Sequence, residues 1–173
     1  QINYCKKKAK EMKLDNQVQF ELIDYREIKG NFDRIYSVGM FEHVGKKFYK
    51  SFFRSMNRLL KENGRFLLHT IGSVDAPTPP NRFINKYIFP GGVVPSFSEI
   101  INPIQKTGLI VADSETLIRH YDRTLEQWLD RFINKKKEAK DLFDEKFVKM
   151  WEFYLASCAA AFRYRDLVVF QLQ

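Results

Sequence analysis

Apolar and polar positions recur along the chain with two different periods, which predict helices and strands in alternation. A sparse helical pattern covers residues 2–14, and an apolar-polar alternation at 18–23 predicts a strand. The mostly apolar stretch Phe32–Val38 predicts a strand covered on both faces. Helical spacing over 46–61 then stops at Asn63-Gly64, a typical helix end, and a further strand is expected at 65–70.

The second half begins with an irregular segment and then returns to the same alternation. Residues 75–96 contain five prolines and Gly91-Gly92, so we expect a loop with one helical turn at 82–88. A loop of this length is typical of a lid or a substrate-binding insertion. Helices are expected at 97–106, 124–137 and from 143 to 158, with strands at 109–118 and 167–172.

Alternating helices and strands predict an α/β fold with a doubly wound sheet and helices on both faces. Ligands of such sheets bind at the carboxyl ends of the strands, which places a site near Asp24, residues 39–43 and residues 69–72. The polar residues that directly follow the buried strand Phe32–Val38 favour the same location.

The composition indicates a basic protein and excludes few classes of protein function. The 173 residues are 45% hydrophobic, enough for one folded domain, and carry 29 Lys and Arg against 21 Asp and Glu. A net charge of +8 favours anionic partners, either phospholipid headgroups or nucleic acid. Cys5 and Cys158 have no metal-ligand spacing, so we expect no metal, no disulfide and a cytoplasmic setting. No uncharged stretch approaches the roughly 20 residues of a spanning helix, so any membrane contact would be peripheral.

Four strings, found in this order, carry a resemblance to a known family. They read VGMFEHVG at 38–45, LLHTIG at 67–72, NKYIFPGG at 85–92 and HYDRTL at 120–125. Together they closely resemble the cyclopropane fatty acid synthases, and YLASCAAAFR at 154–163 is similar to that family's last helix. One string alone is a weak signal, whereas four ordered matches over nearly the whole chain are specific.

The resemblance implies a class I methyltransferase sheet, Rossmann-like, with strand order 3-2-1-4-5-7-6. Residues 1–173 then correspond to the C-terminal part of a single catalytic domain that lacks the first two strands and their glycine-rich loop. The family's active-site Cys also lies upstream, and neither Cys5 nor Cys158 matches it. The segment at 18–23 would lack its ladder partners, so we expect exposure, disorder or pairing with a second copy in a homodimer.

The resemblance also implies two bound groups. S-adenosylmethionine would be contacted by Asp24 and Tyr25 at its adenine and by Gly39 near its sulfonium. A bicarbonate ion, which removes a proton from the added methyl group so that the ring closes, would be held by Glu42, His69, Tyr121 and the backbone of Ile71. The acyl chain would be lined by aromatic side chains: Phe41, Tyr87, Phe89 and Trp151.

Each of these residues also has an ordinary structural interpretation. Glu42 could cap the following helix, His69 could be a hydrogen-bonded core histidine, and Tyr121 could pack at a helix start. Asp24 and Gly39 could serve only in turns, and most aromatic side chains are simply core.

The favoured function is transfer of a methylene group from S-adenosylmethionine to unsaturated phospholipid acyl chains at an anionic membrane surface. A related methyltransferase acting on lipids or small molecules without ring closure is an alternative. Another is a non-catalytic basic module that binds membrane or RNA through clusters such as Lys6–Lys8 and Lys135–Lys137. No RNA-recognition motif is present, so nucleic acid is not expected. We expect the isolated 173 residues to be inactive because half of the cofactor pocket would be missing.

Overall fold

The computed structural model describes all 173 residues, which form two units, residues 1–30 and residues 31–173. The first unit contains helix α1 (Ile2–Glu11) and a 3-10 turn (Tyr25–Glu27). The strand predicted at 18–23 is wrong, since these residues have no regular structure. Val18, Leu22 and Ile23 are exposed, Leu22 by 94%, as expected for a segment without ladder partners, whereas Phe20 is half-buried.

The second unit is built on a four-stranded sheet with the order β1-β2-β4-β3. Strand β1 (Phe32–Val38) pairs in parallel with β2 (Leu60–Ser73), whereas β4 (Leu167–Leu172) is antiparallel to both β2 and β3 (Ser114–Leu117). With β1 taken as the family's fourth strand, this order is 4-5-7-6. The predicted α/β class is therefore confirmed, with the half of the sheet that the resemblance implied.

One face of the sheet is covered by helices α2 (Tyr49–Leu59) and α4 (Phe97–Ile104). Phe66 of β2 packs against Phe52 and Phe53 of α2, and Phe170 of β4 packs against Phe97 of α4. Because side chains alternate along a strand, the even-numbered residues of β2 and β4 point to this face.

The opposite face is covered by α5 (His120–Asn134) and α7 (Glu145–Tyr164), with α6 (Lys136–Leu142) between them along the chain. Its core consists of buried side chains from these helices and β4: Leu125, Tyr154, Leu155, Ala159, Phe162 and Val169. Ile71 of β2 packs against this cluster, so the odd-numbered residues of β2 point to the α5/α7 face. No helix has the length and apolarity needed to span a membrane.

Several helices and strands begin or end at other residues than the sequence predicted. Helix α2 ends at Leu59, so Asn63-Gly64 does not end it but lies in a bulge of β2, where Phe32 pairs with Leu60 and Arg34 with Arg65. Gly64 fits because a Cβ there would be 3.0 Å from the carbonyl oxygens of Lys61 and Phe32. Helix α5 begins at His120, four residues before the predicted start, and β3 covers only part of the strand predicted at 109–118.

Residues 75–96 are irregular except for helix α3 (Arg82–Tyr87), as predicted. Asn81 caps α3 by accepting from the amides of Phe83 and Ile84. The end of the segment is fixed to the sheet, because the Ser73 amide donates to the Pro95 carbonyl at 2.9 Å. The role of this segment as a lid or substrate insertion stays a prediction.

Candidate active site

The carboxyl end of β1 turns sharply into a 3-10 turn, Phe41–His43. Gly39 has a positive φ of 64°, which favours glycine, and its amide donates to the His69 carbonyl at 3.1 Å. A Cβ at Gly39 would meet nothing within 4 Å, so space is open beside this backbone. This is the end of the sheet at which the sequence predicted the site.

Glu42 joins three segments at this point. Its Oε1 accepts from the Ile71 amide at 2.7 Å, and its backbone carbonyl accepts from the Val93 amide at 2.8 Å. Its Oε2 is buried and has no hydrogen-bond partner. Glu42 therefore accepts from β2 across the sheet rather than capping a following helix. The Ile71 amide, predicted to bind an anion, holds the Glu42 carboxylate in this arrangement.

Tyr121 lies in the first turn of α5 and packs against the same cluster as Ile71. Its ring packs against Phe162 at 5.1 Å and Trp128 at 6.1 Å between ring centroids. Burial, and then the charges of Glu42 and Cys158, raise the pKa of the Tyr121 phenol. The hydroxyl consequently keeps its proton and is available as a hydrogen-bond donor.

His69 is half-buried in β2, where it pairs with Val38 of β1 and Gln171 of β4. It is an odd-numbered residue of β2, so its side chain points to the same face as Ile71 and the α5/α7 cluster that includes Tyr121. Glu42, Ile71 and Tyr121 are thus brought together, and His69 lies on the face that Tyr121 shares.

The predicted cofactor residue Asp24 is engaged within the first unit. Its carboxylate accepts from the Arg26 amide at 2.9 Å and from the Arg26 Nη2 at 2.6 Å. These hydrogen bonds lower the pKa of Asp24 to about 2. The carboxylate acts here as a turn cap, the structural alternative foreseen for it. Tyr25 is half-buried, and burial raises its pKa. Their contact with adenine stays a prediction.

The aromatic residues predicted to line the acyl chain fall into two groups. Phe41 is fully buried on the α2 side, stacked on Tyr49 at 4.1 Å and packed against Phe52, so it is core rather than a lining residue. Phe89 and Trp151 both contact the ring of Tyr154, at 6.1 and 5.1 Å between centroids.

The remaining lining candidate, Tyr87, is exposed and packs against Phe83, with ring centroids 5.5 Å apart.

Two tyrosines near Glu42 and Tyr121 were missed by the predictions from sequence. Burial, and then Cys158 and Tyr121, raise the pKa of Tyr154 to about 12. Tyr49, the first residue of α2, is buried with its hydroxyl unpartnered. Both tyrosines lie in helices with apolar spacing, where most aromatic side chains are core, so only the hydroxyl group distinguishes them.

A family model described as "Mycolic acid cyclopropane synthetase" matches residues 1–172. The chain belongs to this family. It is 44% identical over 151 residues to the cyclopropane-fatty-acyl-phospholipid synthase of Escherichia coli K12, covering 87% of this chain and 39% of that protein. It is 37% identical over 162 residues to the tuberculostearic acid methyltransferase UfaA1 of Mycobacterium tuberculosis, covering 90% of this chain and 38% of that one.

Solved structures show the same family and fold. The cyclopropane synthase MmaA2 from Mycobacterium tuberculosis superposes with a TM-score of 0.80 at 30% identity, covering 95% of this chain and 64% of that one. The mycolic acid cyclopropane synthase CmaA1, solved with SAH and CTAB, superposes with a TM-score of 0.78 at 32% identity, covering 86% and 56%. The chain therefore has the fold of the class I methyltransferases, and it spans about two fifths of the Escherichia coli relative's length.

Proposed function

We propose that the full-length protein containing these 173 residues transfers a methylene group from S-adenosylmethionine to unsaturated phospholipid acyl chains, forming cyclopropane fatty acids. One observation supports this most directly. The Glu42 carboxylate is fixed by the Ile71 amide at 2.7 Å at the carboxyl end of β1, and its second oxygen is buried without a partner. The relative of 44% identity, covered over 39% of its length, is named for phospholipid substrates.

The residues around Glu42 fit a small anion that carries a hydroxyl group. The unpartnered Oε2 of Glu42 is an acceptor, which the hydroxyl of bicarbonate would satisfy, and the protonated Tyr121 is a donor on the α5/α7 face. His69, on that face, would supply a further donor. Bicarbonate, when bound, would supply the base that the ring-closing proton transfer needs. Glu42 and Tyr121 would hold it and exclude water from it.

S-adenosylmethionine would lie beside the open backbone at Gly39, where no side chain comes within 4 Å of a Cβ position. The acyl chain would approach along the aromatic side chains that contact Tyr154, which are Phe89 and Trp151. This route passes the residues 85–92 that resemble the family.

Methyl transfer without ring closure is the second candidate. One relative of 37% identity is named as a methyltransferase rather than a cyclopropane synthase, which favours this alternative. Both reactions add carbon to the acyl chain. Proton nuclear magnetic resonance distinguishes their products, because cyclopropane ring protons are shielded relative to those of a methyl branch or a methylene group.

Binding at the membrane surface belongs to the same proposal. The cluster Lys135–Lys137 is partly neutralised within the protein, because Lys135 pairs with Glu138 at 3.3 Å and Lys136 with Glu152 at 2.8 Å. Attraction to anionic lipid therefore depends on the net charge of +8 more than on this cluster.

The test uses the full-length protein with S-adenosylmethionine and vesicles of unsaturated phospholipid, with products followed by mass spectrometry. We expect Glu42→Gln and His69→Ala each to lower kcat by roughly 100-fold or more, because each removes a group that holds the proton acceptor. Cofactor affinity, measured by calorimetry, should change little. Glu115→Gln, an exposed carboxylate of β3, is the matched control. Unimpaired Glu42→Gln and His69→Ala variants would remove this site.

A further inference from the structure

A second buried polar atom without a partner lies near Glu42. Tyr49, the first residue of α2, is only 1% exposed, and its hydroxyl has no hydrogen-bond partner. A buried hydroxyl without a hydrogen bond is costly, and few native tyrosines are left in that state. The packing of the ring is complete, so the hydroxyl is the part of this side chain that needs an explanation.

The ring of Tyr49 is fixed to the turn that carries Glu42. It stacks on Phe41 with 4.1 Å between ring centroids and an interplanar angle of 23°. Phe41 directly precedes Glu42, whose Oε2 is also buried without a partner; the third such atom is the hydroxyl oxygen of Ser37 near the end of β1. The donor is on one of two stacked rings, and the acceptor is on the residue that follows the other ring.

Electrostatics agree with this arrangement. Burial, and then the carboxylates of Glu99 and Glu42, raise the pKa of Tyr49, so its hydroxyl keeps its proton. Glu99 is already satisfied, because its carboxylate accepts from the Ser96 amide at 3.0 Å and pairs with Lys46. The Oε2 of Glu42 is the carboxylate oxygen that still lacks a donor.

We propose that Tyr49 is a positioning residue, whose hydroxyl donates to the Oε2 of Glu42 through one buried water. Tyr49 acts from the α2 side, whereas Tyr121 lies on the α5/α7 side, so the carboxylate is held between two phenols. Each carboxylate oxygen has two lone pairs, so Oε2 can accept from Tyr49 and from a bound ligand together. The hydrogen bond itself does not depend on the reaction, but its catalytic consequence rests on the proposed function.

Tyr49→Phe in the full-length protein tests the catalytic consequence. The variant keeps the stacked ring and removes only the hydroxyl. We expect kcat to fall roughly tenfold while the KM for S-adenosylmethionine stays unchanged, because Glu42 loses orientation rather than the cofactor losing contacts. Tyr4→Phe, which removes an exposed hydroxyl of α1, is the control and should leave both constants unchanged.

A double-mutant cycle tests the hydrogen bond without any assay of activity. The urea midpoint of unfolding is measured for Tyr49→Phe, for Glu42→Leu, which leaves no acceptor, and for the double variant. We expect the shift caused by Tyr49→Phe to be at least halved when Glu42 is replaced. Glu42→Met, which is unbranched and has no oxygen acceptor, serves if the leucine variant does not fold.

The outcomes separate the two proposals. Coupling between residues 49 and 42 in a protein that makes no cyclopropane product would contradict the proposed function and leave the hydrogen bond standing. Additive shifts would overturn the inference, whether or not kcat falls, because Tyr49 would then not act through Glu42.

Discussion

At the scale of single residues, Gly72 is the glycine at which an added side chain would make the shortest contacts. A Cβ there would lie 2.3 and 2.4 Å from two ring carbons of Phe170 and 3.0 Å from the Pro95 carbonyl oxygen. Phe170 is itself buried against Phe97, so its ring cannot simply move aside. The missing side chain lets the segment ending at Ser96 pass close over the end of β2.

We therefore expect Gly72→Ala to destabilise the full-length protein by about 1–3 kcal/mol, the usual cost of overpacking. Urea unfolding measures the change. Phe170→Leu, which removes the opposing ring, is the matched second change, and its combination with Gly72→Ala should cost less than the two single costs added together. Full additivity would show that the ring is not what excludes a side chain at this position.

Residue chemistry was predictable where it follows directly from strand ends. Polar residues after a buried strand predicted the location of the site, the resemblance implied the role of Glu42, and the structure places its carboxylate at that end of the sheet, on the Ile71 amide. The hydrogen bond proposed between Glu42 and Tyr49 was not predictable. A tyrosine at helical spacing resembles any other apolar residue until the depth of its hydroxyl is known.

At the scale of elements, the position of Tyr121 depends on how α5 is fixed to α7. Asp122, only 6% exposed, accepts from the Arg163 Nε at 2.7 Å and from its Nη2 at 3.0 Å. Arg163 also pairs with Glu126 one turn later. Arg119 precedes α5 in a left-handed conformation, with φ of 59°, so this ion pair fixes the helix immediately after a sharp turn.

We expect Arg163→Met to lower Tm by several degrees, because it leaves the Asp122 carboxylate buried without its partner. Turnover should fall as well, since Tyr121 is the adjacent residue. Asp122→Asn combined with Arg163→Met should recover part of the lost Tm, which differential scanning calorimetry can follow. Lys136→Met breaks the more exposed pair with Glu152 and is the control; an equal loss of Tm there would contradict the argument.

Element types were predicted better than element ends, for physical reasons visible in two places. The alternation at 18–23 satisfies the strand pattern, but a strand exists only when a neighbour completes its hydrogen bonds, and a pattern does not report neighbours. Asn63-Gly64 resembles a helix end, yet the glycine is needed for a bulge in β2. Glycine is suited both to a helix end and to a β-bulge, and only the pairing register of the strands distinguishes the two.

At the scale of the whole molecule, the sheet order leaves β1 with a neighbour on one flank only. Strand β1 exposes Tyr36 by 77% and Val38 by 59%, so this edge strand also carries exposed apolar side chains on a face of the sheet. An edge of this kind is a template for another strand. The family's fold implies a strand of the same protein at this flank, and a chain without it has a second copy of itself as the available partner.

We therefore expect the 173-residue chain, produced alone, to associate with increasing concentration, as measured by light scattering across a dilution series. Val38→Lys should shift it toward the monomer, because a charge on an edge strand opposes pairing. Leu142→Lys, at an equally apolar and 77% exposed position on α6, is the matched control and should leave association unchanged. If Leu142→Lys shifts the chain toward the monomer equally well, nonspecific hydrophobic association is the cause. If the chain is monomeric at every concentration, the β1 edge does not pair with a second copy.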